Sequence, residues 1–360
     1  MRKIGLLAII LASMVSCLKE SQLKKPFITL QPFQIYDGWE LSNPQSESID
    51  SAGLTEIYKS FHEDDELWQV RSLLVFRNAK LVAESYTKDE TDLTRPRAIW
   101  SATKQVVGIL TGIALEQQLI QSLTDSIYHY LPETAQHPDK IGITVEHLLT
   151  MRSGIKYSND GLSGQTDDIL RQLPDNITAF ILSLPMSATP GELVAYKDGD
   201  PQLVASIIQS QCGKTTYQWA KEVLFDPLEI QHLDWVSYKD GTTLGGFGIM
   251  TTPREMAKFG QCVMDGGQWK GVQLVSNDWI DEMTSVKIQD IYGYQFGYLW
   301  WKDESRGLIF MSGHGGQYVF LMPAKNLMIV MTAEVNTQGD FQFNRDKALK
   351  WVDEIIEIAF

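Results

Sequence analysis

The first candidate for chemistry in this chain is a serine followed three residues later by a lysine. Ser-x-x-Lys occurs five times, at Ser16/Lys19, Ser21/Lys24, Ser85/Lys88, Ser101/Lys104 and Ser153/Lys156. The pair can act together only where both side chains share a helix face, because positions i and i+3 are neighbours there. Ser85 ends an alternating, strand-like run, and Ser153 stands beside Gly154 at a helix terminus. Only Ser101-Ala102-Thr103-Lys104 opens a long apolar helix. A serine in that place lies among unpaired backbone N–H groups at the positive end of the helix dipole, which favour an oxyanion. A lysine one turn on, partly desolvated by Trp100, Val106 and Val107, is pushed toward its neutral form and can take the serine proton. Spacing alone equally allows an N-cap serine followed by an incidental surface lysine.

Other chemistries find less support. His62, His129, His137, His147, His232 and His314 form no His-x-His or His-Glu-x-x-His pair, so no metal and no cofactor is expected. A P-loop and a Gly-x-Ser-x-Gly elbow are both missing; Gly161-Leu162-Ser163-Gly164 comes nearest to the latter. The 360 residues carry 31 Lys and Arg against 45 Asp and Glu, a net charge of −14, which repels phosphate backbones and argues against nucleic-acid partners. Two further segments join the serine–lysine pair. Gly191 to Asp198 leads into a helix near Pro201, placing Tyr196 on a loop at a helix start. Ser312-Gly313-His314-Gly315-Gly316-Gln317 enters a strand, and its glycines allow backbone to approach a substrate closely.

The elements that must hold these residues follow from pattern. Ser72–Arg77 and Leu81–Tyr86 read as strands joined by a hairpin-like Asn78-Ala79-Lys80; Gln317–Met322 and Leu327–Thr332 flank another turn, and Gly307–Ser312 is a further strand. Strands linked by short turns predict an antiparallel sheet. Thr103–Gln117 has the broad apolar face of a buried helix. Further helices are expected at Val145–Met151, Pro201–Gln211, Thr216–Leu224 and Asp346–Phe360. Thr252-Pro253-Arg254-Glu255 is a helix start with hydroxyl cap, Pro and Glu in sequence, and that helix should stop at Asp265-Gly266-Gly267. The fold class is therefore α+β. Residues 33–100 and 245–360 form an α/β lobe with a central antiparallel sheet, and 101–244 form an inserted, mainly helical lobe.

The start of the chain reads as an export signal: Arg2 and Lys3, an apolar run from Ile4 to Val15, then Ser16 and Cys17. The run is too short for a bilayer, which needs about 20 residues. The segment resembles a bacterial lipoprotein signal over 1–16, which implies a lipid on Cys17, a tether over 17–32 and a periplasmic or surface-exposed, membrane-anchored protein. Cys212 and Cys262 could pair in an oxidising compartment, but no spacing argument requires it and two buried free thiols are expected.

Taken together, Ser101/Lys104, Tyr196-Lys197-Asp198 and His314-Gly315-Gly316 resemble, in the right order, the three motifs of serine β-lactamases, penicillin-binding DD-peptidases and their esterase relatives. The likeness runs from about Asp37 to the C-terminus, and is closest to the class C-related branch that includes 6-aminohexanoate-dimer hydrolase. It implies an acyl-enzyme route on a small ester, amide or peptide: Ser101 attacks, Lys104 with Tyr196 manages the proton, and the backbone N–H groups of Ser101 and Gln317 hold the oxyanion. Which of Lys104 and Tyr196 is the base stays open. Asp198, His314, Gly315 and Gly316 are the implied substrate contacts. Two departures stand out, His314 for a lysine and Asp198 for an asparagine; an added anion at 198 would repel a β-lactam carboxylate, which favours esterase, amidase or peptidase over β-lactamase activity. A penicillin-recognising β-lactamase or DD-peptidase, a non-turnover β-lactam-binding sensor and a catalytically inactive lipoprotein scaffold are the alternatives. His147 reads as a structural histidine, the aromatics from Tyr292 to Trp301 as core or as an acyl pocket, and Asp198 and Asp200 as contacts to a cationic substrate or as helix caps. Oligomeric state is left open.

Overall fold

The computed structural model describes residues 24–156, 170, 175–335 and 344–360. Residues 1–16, Cys17 and Gly161–Gly164 lie outside the described residues. A nine-stranded sheet is built from the two ends of the chain: β1 (Glu40–Leu41), β2 (Val70–Arg77), β3 (Lys80–Tyr86), β4 (Ile288–Ile291), β5 (Tyr294–Phe296), β6 (Trp301–Asp303), β7 (Leu308–Gly313), β8 (Gln317–Met322) and β9 (Leu327–Ala333). Their spatial order is β1-β3-β2-β9-β8-β7-β6-β5-β4, antiparallel throughout except for the short β1–β3 pair. The expected strands at 72–86 and 307–332 are all present, one or two residues longer or shifted at their ends. Asn78 and Ala79, at φ 51° and 59°, make the two-residue turn between β2 and β3, whose left-handed residues match the twist of the flanking strands.

Every residue of β2, β8 and β9 is buried, because helices cover both faces of the sheet. One face takes the helix Pro253–Met264, whose Gly260 lies against Val319, Leu321 and Met328. The alternate residues Tyr318 and Phe320 face the other way, with Phe310 beside them. On that side the helices Ser51–Glu63 and Arg345–Glu357 meet through Phe61 and Trp351. The first of these was not among the expected helices, although Asp50 caps it and Leu54, Ile57, Tyr58 and Phe61 form its buried stripe. The Thr252 start behaves as its sequence indicates, the hydroxyl accepting from Glu255 N–H at 3.4 Å.

The helical lobe contains Gly199–Cys212 and Thr216–Ala220, the latter running on into a wider turn, Lys221–Phe225. A three-stranded sheet of Arg97–Ala98, Leu233–Trp235 and Ile249–Thr251 joins it to the main sheet. Residues 24–32, expected to belong to a tether, are part of the fold. Lys25 N–H bonds Thr87 O at 2.6 Å and Glu84 N–H bonds Leu30 O at 3.0 Å, so this segment covers the part of the β3 edge that β1 does not reach. His62 fastens it, its Nδ1 2.7 Å from Lys25 O and its Nε2 2.7 Å from Ser85 Oγ. Cys262 is buried and Cys212 half-buried, both unpaired.

Candidate active site

Ser101 sits in a tight turn, Trp100–Ala102, that runs directly into the helix Thr103–Glu116. Trp100 has φ 50°, a conformation that costs a bulky residue on the order of 1–2 kcal/mol. Its neighbours hold it there. Ile99 N–H bonds Ile249 O at 3.0 Å, Thr103 Oγ1 accepts from Ile249 N–H at 3.2 Å, and the Trp100 ring meets the exposed His314 ring edge-on at 5.7 Å. The closest support is Gly313, where a side-chain carbon would stand 2.0 Å from Ile99 O. Strand β7 and the nucleophile turn therefore touch backbone to backbone.

One helical turn on, Lys104 is fully buried. Its Nζ donates to Ser101 Oγ at 2.9 Å, to Gly246 O at 2.7 Å and to the Asp198 carboxylate. An ammonium has three donors, and these acceptors engage all of them. The same Nζ lies 5.0 Å from the centre of the Tyr196 ring. Residues 101, 104 and 196 are thus brought together from three elements.

The segment carrying Tyr196 is fixed from below by a second buried polar group. Ser153 Oγ donates to Asp200 Oδ1 at 2.6 Å, and Lys197 Nζ donates to Ser153 Oγ at 3.2 Å and to Ile155 O at 2.8 Å. Burial holds the Asp200 carboxyl above its ordinary range, against the pull of Lys197. Asp198 and Asp200 were read as contacts to a cationic substrate or as helix caps; Asp198 stands at the N-cap position of the helix Gly199–Cys212 but turns its carboxylate to Lys104. Asp198 is 2% exposed against Lys104, with no side-chain cap bond, and Asp200 holds Ser153. The reason is charge: two carboxylates in this interior are tolerable only beside the two buried amines.

Expectation and geometry part again at the end of β7. Gly313 pairs with Gln317 in the β7–β8 ladder, and Gly316 N–H returns to Gly313 O at 3.3 Å. Ser312 N–H points the other way, to Gln105 Oε1 at 3.3 Å. Amides alternate in direction along a strand, so the Gln317 amide belongs to its pairing with Gly313, while His314 follows the last residue of β7 with its ring against Trp100 of the nucleophile turn. Gln317 is also 3% exposed, its side chain donating to Ala333 O at 2.6 Å. Gly315 and Gly316, at φ 75° and 101°, are buried and close this turn.

A sequence model of the family described as Beta-lactamase matches residues 72–350. The chain belongs to the beta-lactamase family. Among curated proteins it is similar to 6-aminohexanoate-dimer hydrolase of Paenarthrobacter ureafaciens, 24% identical over 292 residues, covering 72% of this chain and 71% of that protein. A penicillin-binding protein homolog from Caulobacter crescentus has TM-score 0.67 and 15% identity, over 85% of this chain and 96% of that one. FmtA from Staphylococcus aureus has TM-score 0.66 and 16% identity, covering 92% of each chain. These two likenesses establish the fold, and the resemblance drawn from the sequence holds at the level of the superfamily.

Within this beta-lactamase-family site, two residues escaped the sequence reading. Gln105 donates to Leu299 O at 2.6 Å, and its own carbonyl accepts from Trp300 Nε1 at 3.1 Å; with its bond to Ser312 N–H it ties the nucleophile helix to β7. Gly246 supplies the carbonyl under Lys104, and a side chain on it would collide with Asp198 Cβ at 2.6 Å. The glycine run 245–248 was visible as a motif, but its contact partner was not. The aromatic run resolves both ways: Phe296 and Trp301 are core, yet they and the exposed Tyr292 form the wall against which Tyr196 rests, at 6.3, 5.3 and 6.2 Å. His147 is structural, its Nδ1 accepting from Thr144 N–H at 3.2 Å in a capping box.

Proposed function

We propose that this protein is a serine hydrolase that opens an ester or amide bond of a small substrate through an acyl-enzyme on Ser101. The observation that carries the reading is the Lys104 amine, buried between the Ser101 hydroxyl and the Asp198 carboxylate. In a dry site an ammonium–carboxylate pair and its neutral counterpart lie close in energy, because desolvation penalises the charged form. Lys104 passes a proton to Asp198 and is then free to take one from Ser101. The Ser101 O–H bond breaks as its oxygen bonds the carbonyl carbon, and the carbonyl oxygen becomes an anion held by the N–H groups of Ser101 and His314. As the carbonyl re-forms, the bond to the leaving group breaks, and the proton that Lys104 took from Ser101 passes by way of Tyr196, beside it, to the leaving atom, which leaves both groups as they stood before the attack. Water then repeats the sequence on the acyl-enzyme.

The name of the curated relative favours an amide among the substrate classes. The test is turnover of p-nitrophenyl esters, linear amide oligomers and nitrocefin by residues 18–360, with fluorophosphonate labelling in parallel. Labelling at Ser101 and turnover, both lost in Ser101→Ala, are expected; a burst on nitrocefin with no steady state would favour a sensor instead. The signal-like start further supports export and a lipid on Cys17. Cys17→Ala should move the protein from the membrane to the soluble fraction.

A further inference from the structure

We infer that the outer face of residues 26–36 is a membrane-docking edge, which lies in the headgroup layer of a bilayer. Pro26 to Tyr36 is a run of eleven residues with no charged side chain, in a chain where 21% of residues are charged. The run is held to the body from within. Phe27 packs on Tyr58 and His62, Leu30 O accepts from Glu84 N–H, and Phe33 N–H donates to the Glu84 carboxylate. Outward it turns Ile28, Phe33 and Tyr36, at 84%, 38% and 92% exposure, with the exposed Thr29, Gln31 and Gln34 between them. Those three are among the ten large apolar side chains exposed in the described residues, and they fall within nine positions. Scattered singly, such side chains need no explanation. Gathered on the outermost segment of a sheet they do, because soluble proteins guard a sheet edge with charge.

The course of the chain selects the occupant. Lys24 follows Cys17 by seven residues, so the lipid proposed there brings this edge first to the bilayer; the choice of a membrane rests on that reading. Local charge agrees. The charged groups that flank the run are neutralised within the fold: Lys25 pairs with Glu90 at 3.3 Å, Glu40 with Lys80 at 3.3 Å, and Asp37 with Arg254 at 3.0 Å. A molecule of net charge −14 thus shows a lipid surface an edge of little charge. Aromatic and aliphatic tips separated by Thr and Gln suit the interface, where an extended backbone still finds partners, and not the hydrocarbon. The edge belongs to β3, and β7 with the nucleophile turn against it is four strand spacings away, about 19 Å. Docked in this way, the protein works on molecules in the water layer over the membrane and not on the lipid itself.

Residues 18–360, made without lipid, test the edge apart from the anchor. In cosedimentation with phosphatidylcholine vesicles the protein should partition measurably at millimolar lipid. Ile28→Ser with Tyr36→Ser should weaken that partition by about 10-fold, since binding scales with the apolar area buried. Tyr128→Ser with Ile141→Ser removes an equivalent pair exposed on the helical lobe and should leave partition within about twofold. Both double variants should keep wild-type ester turnover, which shows that they fold. No partition at millimolar lipid, or an equal loss in the two double variants, would overturn the proposal. A dimer in solution that Ile28→Ser with Tyr36→Ser dissolves would also overturn it and give the edge to a second copy. Mass spectrometry of the full chain recovered from cells judges the anchor separately. Vesicle partition that depends on Ile28 and Tyr36, together with an unmodified Cys17, would keep the docking edge and refute the lipid.

Discussion

Lys104 draws its meaning from what surrounds it. The Asp198 carboxylate gives its proton somewhere to go, and an amide at that position would offer a hydrogen bond but no proton acceptor. Asp198→Asn should therefore lower kcat by on the order of 10²-fold with KM little changed. Unchanged turnover would show that Asp198 only positions the amine. Lys104→Ala should cost more, on the order of 10³-fold, and should also slow fluorophosphonate labelling of Ser101. Gly313 gives a test of the backbone contact. Its substitution by Ala forces a carbon against Ile99 O, which must shift the nucleophile turn, and displacements near 1 Å cost about 10²-fold in rate. The expected signature is a large fall in kcat with a small fall in Tm; the reverse would mean that the contact serves stability alone.

Whole elements titrate as well as single groups. Two histidines hold junctions in their neutral forms: His62 between the N-terminal segment and Ser85, and His147 in the capping box with Thr144. Burial lowers both below their ordinary value, outweighing the acceptor Lys25 O at His62 and Glu146 at His147. A group lowered in the folded state contributes stability that is complete above its unfolded pKa, near 6.5, and is lost as pH falls through the folded value. The thermal midpoint should thus fall from pH 7 toward pH 5, and less steeply in His62→Gln; an unchanged slope would remove His62 from the account. The same scale shows what the sequence could disclose. The Thr252 helix start, the β2–β3 turn and the Ser101 helix were legible because cap residues and periodicity are local. The choice of oxyanion donor, proposed above as His314, was not. Whether His314 or Gln317 faces the cleft depends on which amides β8 claims, and that pairing belongs to two strands together. Asp198 was misplaced for a related reason, since only the path of the chain puts the amine of Lys104 beside it.

At the scale of the molecule, one buried guanidinium gathers distant parts of the chain. Arg254 donates to Glu84 at 2.9 Å, to Asp37 at 3.0 Å and to Phe33 O at 2.7 Å, while its own carbonyl accepts from Trp39 Nε1 at 3.0 Å. Removing it leaves two buried carboxylates uncompensated, so Arg254→Met should cost about 3–5 kcal/mol in denaturant unfolding. Arg254→Met with Glu84→Met should recover part of that loss; a cost below about 1 kcal/mol for the single change would show that the cluster is not holding the segment down. The docking of residues 24–33 by this cluster and by His62 also sets a length. Should Cys17 carry the proposed lipid, seven residue steps separate it from Lys24, and no conformation of them spans more than roughly 25 Å. The enzyme would ride on a short leash, meeting molecules close to the bilayer and little of what diffuses farther out.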